Sequence, residues 1–287
     1  MLDQPLESID RYIEAFSAGP LPVLRRSLRA LAALRADEAH LNGRTLAAEV
    51  LRDPMLALQV LTHLEQNRPA RQNHDITTVE RALIMMGMEP FFTHFGDLPS
   101  VEDTLGSQPH ALVGLLRVAG RAQHAAAWAR RFAVLRHDID VDEVTVAALL
   151  HEAAEVLFWC FAPVLMQRIN ALLVARPELR SAQAQEIVLG VPILDVQLAL
   201  TRAWHLPTLL IALMNDEQAD SPRVRNVRIA CDLARHASRG WDNPALAPDF
   251  TAAADLLHLR PSAVMEIVGA PDTVCQAARE AEAASPS

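Results

Sequence analysis

The apolar positions of the chain recur mostly three and four residues apart, with little strict alternation, so the pattern predicts helices and argues against extensive sheet. Residues 21–36 repeat leucine at that spacing, a polar stretch at Leu41-Asn42-Gly43 interrupts, and 45–51 completes a helical pair. At Asp53-Pro54 an acidic N-cap precedes a proline at the first helical position, where its missing N–H costs nothing, and an apolar face continues over 55–64. Residues 68–75 are polar and read as a loop. Thr77 and Glu80 then stand at capping-box spacing before an apolar run over 82–86, and Gly87 supplies a stop. Residues 97–109, with Pro99, Gly106 and Pro109, are the most loop-like stretch between strong helical patterns. The boundary between an N-terminal lobe, 1–106, and a second lobe, 107–279, is placed there.

Beyond it, 111–135 and 141–161 read as two long helices, the second preceded by Asp140 and Asp142 and ended by Pro163. Shorter helices follow at 163–175, 181–189, 192–204 and 207–217. Ser221-Pro222 opens another to about residue 238, and 249–259 and 262–268 form a terminal pair. Residues 280–287 have little to pack against and are expected to fray as a disordered tail. Composition agrees with this all-α reading: 287 residues at 51% hydrophobic can bury a sizeable core, and 5% aromatic content is low.

Charge narrows the function classes. The chain has no lysine, so its 26 basic side chains are all arginines, against 35 acidic ones and a net charge of -9. Binding nucleic acid by phosphate neutralisation is therefore not expected as the main activity. The cluster Arg223, Arg225 and Arg228 reads as a solvated helix face. Cys160, Cys231 and Cys275 are odd in number, widely spaced and without a CxxC pair, which points to a reducing compartment rather than a disulfide framework. No uninterrupted apolar stretch reaches the roughly 18 residues that span a bilayer, and residues 1–7 lack a basic start followed by an apolar run. The expected location is the cytoplasm, away from membranes.

The sharpest polar cluster is His151-Glu152-Ala153-Ala154-Glu155, set inside an apolar helical pattern. The pairs 151/155 and 152/155 lie on one helical face, but a zincin needs histidine at both ends of HExxH and position 155 is Glu. His124, on the preceding helix, could approach His151 if 111–135 and 141–161 pack antiparallel, giving half a metal site. Core or groove histidines bonded to backbone or water are the simpler reading of both. Cys160 and Cys231 lie in apolar runs as buried structural thiols, and Met85, Met86 and Met88 fit core packing better than an adaptable binding surface. Trp128, Trp159, Trp204 and Trp241 are expected to fill gaps between helices.

These residues line up with a family. The run from Leu46 through Asp53-Pro54 to Leu61 resembles the signature of the HDOD domain, and Ile76-Thr77-Thr78 through Gly87-Met88 resembles its second signature. His124 corresponds to the first histidine of the HD pattern, Ala147 to Glu152 to its HD helix, and Val188-Leu189-Gly190-Val191 to the segment after it. The resemblance spans roughly residues 20–240. It implies an N-terminal helical lobe packed on an HD-like helical bundle, as in bacterial signalling proteins. HD enzymes hold metal through His, His-Asp and a distal Asp, whereas this chain has Glu152 in place of the Asp and Cys231 at the distal position. The vestigial candidates are thus His124, His151, Glu152 and Cys231, with no metal, cofactor or catalytic residue expected. The expected role is a non-catalytic signal-transduction module that binds a protein partner or small ligand. The alternatives are a metal-dependent phosphohydrolase of nucleotides or cyclic dinucleotides, and a structural scaffold; the sequence leaves oligomeric state open.

Overall fold

The computed structural model describes residues 1–37, 39–67, 76–176, 178–218 and 220–284. In chain order its helices are α1 (Ile9–Phe16), α2 (Arg25–Ala36), α3 (Gly43–Val50), α4 (Pro54–Gln66), α5 (Val79–Met86), α6 (Met88–Phe95), α7 (Val101–Thr104), α8 (Pro109–Leu135) and α9 (Val141–Leu150). The series continues with α10 (Ala153–Phe161), α11 (Pro163–Ala175), α12 (Ser181–Leu189), α13 (Ile193–Ala203), α14 (Thr208–Leu213), α15 (Pro222–Ala237), α16 (Leu246–Leu257), α17 (Pro261–Val268) and α18 (Asp272–Ala284). Among the described residues the only β-type pairing is an isolated bridge between Val23 and Ser100, and the fold is all-α. The loop expected over 68–75 lies outside the described residues, as do the last three residues of the expected tail. Two compact units interleave along the chain, one formed by 1–120 and 150–211, the other by 121–149 and the residues from 212 onward.

The first unit is organised around Asp53. Its Oδ1 accepts the N–H groups of Met55 at 2.9 Å and Leu56 at 3.3 Å, as the N-cap before Pro54 requires. Its Oδ2 accepts the Leu24 N–H at 2.7 Å and the Ser27 hydroxyl at 2.9 Å. One carboxyl therefore caps α4 and also serves the start of α2, whose N-cap residue Leu24 has no capping side chain. The group is wholly buried; burial pushes its pKa up, and the four donors oppose that shift.

Three helices absent from the pattern-based reading, α1, α6 and the short α7, complete this unit. In α1, capped by Ser8, the fully buried rings of Tyr12 and Phe16 meet Phe158 of α10 at 5.1 and 5.0 Å between centroids. The Tyr12 hydroxyl donates to the Leu189 carbonyl at 3.1 Å, and Trp204 Nε1 donates to Ser17 Oγ at 2.8 Å. In α6, Pro90 falls within the first turn, where no intrahelical N–H is needed, and Gly87 (φ 83°) redirects the chain out of α5. The N-cap of α5 is Thr78, which accepts the Arg81 N–H, rather than Thr77 of the expected capping box. Trp159 lies against α8 at Gly114, where a Cβ would come within 2.5 Å of its ring. Within 97–109, expected as a loop, the short α7 is capped by Ser100.

In the second unit, α15 faces the end of α8 and the start of α9. Asn226 Nδ2 donates to the Ala129 carbonyl at 3.1 Å, and Arg223 donates to Glu143 at 2.7 Å and to the Asp140 carbonyl at 3.1 Å. Arg223 is therefore a packing residue, not part of a solvated face, because Glu143 is itself buried and needs a cation. The terminal helices follow in series, α16 on α15, α17 on α16 and α18 on α17. Fraying was expected from 280, yet α18 continues to Ala284, since Glu282 accepts both the N–H (2.8 Å) and the hydroxyl (2.7 Å) of Ser262.

Two outcomes follow from these anchors. Asp53→Ala leaves buried donors without an acceptor and should lower unfolding free energy by about 3 kcal/mol or more, read as a lower urea midpoint at unchanged slope. The Ser262 donors hold the Glu282 carboxyl below its ordinary pKa of 4.5. A depressed folded pKa gives stability that is present above the unfolded value and lost as pH falls through the folded one. Protection of the Ser262 amide, corrected for intrinsic exchange, should therefore fall on acidification below about 4.5, a pH dependence that Glu282→Gln, whose amide does not titrate, should lack.

Candidate functional site

The segment 141–161, expected as one helix, is two. The break falls at His151 and Glu152, the residues singled out for chemistry. In an uninterrupted helix the Ala154 N–H would donate to the Leu150 carbonyl. Here the Gln197 side chain, from α13, stands in that bond: its Nε2 donates to Leu150 O at 2.9 Å and its Oε1 accepts the Ala154 N–H at 2.6 Å. Insertion of a side chain into the ladder is a recognised cause of a helix break. Because the amide offers both a donor and an acceptor group, both backbone groups stay satisfied although Gln197 is only 3% exposed. The chain restarts at once, with Glu155 N–H bonding to the Glu152 carbonyl at 3.0 Å.

His151 and Glu152 are both buried, at 6% and 9% exposure, within the first unit. His124 and Cys231 belong to the second unit. His124 is exposed on α8, one turn from Trp128, with ring centroids 5.7 Å apart. Cys231 is buried on α15, and its Sγ lies 3.8 Å from the Ala148 carbonyl. Cys160 is buried too, and desolvation, with the Asp53 charge behind it, pushes its thiol pKa far up, so it is no nucleophile. All three cysteines are free thiols. Trp128, Trp159 and Trp204 are buried as expected, and Trp128 has Trp241 at 6.5 Å. The methionine expectation fails at Met85, which is 54% exposed next to Ile84 at 70%: Ala82 and Leu83 take the inward face of the two-turn α5.

The HDOD domain family profile matches residues 21–219. The chain belongs to the HDOD domain family. Among solved structures, the MmoQ response regulator of Methylococcus capsulatus str. Bath is similar at 14% identity and a TM-score of 0.67, with 88% of this chain and 98% of that one covered. A virulence factor of Campylobacter jejuni subsp. jejuni is similar at 15% identity and a TM-score of 0.62, covering 94% of this chain and 97% of that one. At these identities the likeness shows the fold. No curated protein matches the chain in sequence.

HD-type chemistry requires several donors converging on one metal with an open position for water. Among the described residues of this HDOD chain, no three His, Cys, Asp or Glu side chains gather in that way. Cys231, which the resemblance sets against the distal Asp, is buried with a backbone carbonyl beside its sulfur. The residues present do not fit the HD metal, and no chemical step is derived through one. The element that sequence reasoning missed is Gln197: it sits in an ordinary apolar helical pattern, and only its placement opposite residue 150 reveals its role.

Gln197→Met keeps the volume and removes both hydrogen bonds. It should cost about 1–3 kcal/mol, the range for stranding buried backbone groups. Amide-exchange protection at Ala154 should fall selectively, unless α9 and α10 rejoin, in which case the Ala154 amide becomes more protected and the stability loss vanishes.

Proposed function

We propose that this HDOD chain is a non-catalytic signalling module that acts by binding a protein partner or small ligand in the cytoplasm. The observation that carries the reading is that His151 and Glu152 are buried in a helix break braced by Gln197; among the described residues no three His, Cys, Asp or Glu side chains gather. A hydrolytic HD centre needs the opposite, an open coordination position reached by substrate and water. The similar structure from Methylococcus is described as a response regulator, which supports a place in signalling. Three buried free thiols support a reducing compartment. The apolar stretch Val141–Phe161, with mean hydropathy 1.5, has the length and composition of a membrane span, but 89% of it is buried inside the protein, as in a core helix.

The deciding experiment is turnover of p-nitrophenyl phosphate, nucleotides and cyclic dinucleotides with added Mn²⁺, for the full chain and His151→Gln. Both should match the protein-free blank. Turnover that disappears in His151→Gln would overturn the proposal and restore the phosphohydrolase alternative.

A further inference from the structure

His63 on α4 and His94 on α6, both within the first unit, bring their rings together with centroids 4.3 Å apart and planes 46° from parallel. His94 is exposed and His63 partly so, which leaves the pair open to solvent. Behind His63, the buried ring of Phe95 stands edge-on at 5.6 Å and is itself packed on Phe91 at 5.2 Å. The two imidazoles therefore meet against a fixed aromatic support. Burial and the neighbouring His94 push the pKa of His63 down, which favours the neutral imidazole that ligates metals.

The spacing can be compared with a metal complex. Two imidazoles bound to one ion at about 2.0–2.1 Å, with an angle at the metal of about 90–109°, hold their ring centroids about 4.4–5.1 Å apart. The observed 4.3 Å lies just below that range, so small side-chain rotations suffice. The paired donors are nitrogens, which suit copper, nickel and zinc and not the oxygen-seeking magnesium and calcium.

We propose that His63 and His94 form a two-imidazole site for a divalent transition metal of the copper, nickel or zinc class, bridging α4 and α6 with water in the remaining positions. It is separate from the HD-position residues and independent of the signalling proposal. Asn67 tunes it. Its Nδ2 lies 3.5 Å from His63 Nδ1 and donates to the His63 carbonyl at 2.7 Å. Metal on Nε2 turns Nδ1 into an N–H donor, for which an amide N–H is the wrong partner and a carboxylate the right one.

The test is calorimetric titration of the tag-free full chain with Ni²⁺ and with Cu²⁺ at pH 7.5. The expected result is one site per chain, weakened at least about tenfold by His63→Gln and by His94→Gln, unchanged by His110→Gln, and tightened about tenfold by Asn67→Asp. Copper bound to the wild type should show nitrogen ligation by electron paramagnetic resonance. Retained affinity in both histidine variants, or an equal loss in His110→Gln, would overturn the assignment. Far-ultraviolet circular dichroism of each variant separates loss of the site from loss of the fold.

Discussion

A buried peptide group must find a hydrogen-bond partner, and in this chain two side chains supply partners where the helices cannot. Gln197 stands between the Leu150 carbonyl and the Ala154 N–H, and Asp53 collects the N–H groups of Leu24, Met55 and Leu56. Both lie at points where an apolar helical run has to stop and restart inside the core. Gln197 converts what would be a 21-residue apolar rod into two segments. Asp53 lets α2 and α4 begin side by side without exposing their first amides. The difference in residue type follows from the groups served: an amide matches one donor and one acceptor, whereas a carboxylate suits several donors.

The same requirement bears on function. An HD-type centre would use the turn at His151 and Glu152 to present ligands to a metal and to substrate. Here the turn is buried, with its backbone satisfied by an amide, and Cys231 has the character of a core thiol. A buried cysteine such as Cys231 packs without the cost that an ionised carboxylate without partners carries in the interior. The fold can persist without the ligand set because its stability rests on other contacts: the Asp53 cap, the Tyr12 and Phe16 rings on Phe158, and Arg223 on Glu143.

How legible was this in the sequence? The Asp53-Pro54 start and the proline-led starts of α11 and α15 were readable because local chemistry fixes them: a capping side chain or a fixed φ acts within a few residues. In α1, Ser8 and the apolar positions 9, 12, 13 and 16 carried a signal that was passed over because it fills only two turns. The break at 151–152 was not readable, since its cause lies 43 positions away in Gln197. Arg223 and Met85 were misjudged for a related reason. A helix has two faces, and which one is buried depends on neighbours that a one-dimensional pattern does not identify. The interleaving of the two units, with α8 contributing to both, likewise depends on long-range contacts. Of the four candidate site residues, the sequence placed His151 and Glu152 in one turn, tied His124 to them through an assumed antiparallel packing of two helices, and had only a family correspondence to recommend Cys231.

The distribution of imidazoles then changes how metal binding should be read in this family member. Of the two histidines that the resemblance sets against the HD pattern, His151 is buried and His124 exposed in different units, whereas the pair that no motif marks, His63 and His94, is solvent-accessible with its rings already together. Affinity depends on reaching the donors as well as on their identity, because a metal must shed water and the ligand must be neutral when it arrives. Metal found in the purified protein would thus be no sign of phosphohydrolase activity until assigned to residues. The two sites make different demands: hydrolysis needs a metal with an open position beside bound substrate, while a two-imidazole bridge needs only to hold α4 against α6. A metal that raises the melting temperature without producing turnover would belong to the second kind, since any ligand that binds the folded state and not the unfolded one stabilises it by an amount that grows with the logarithm of its concentration over Kd.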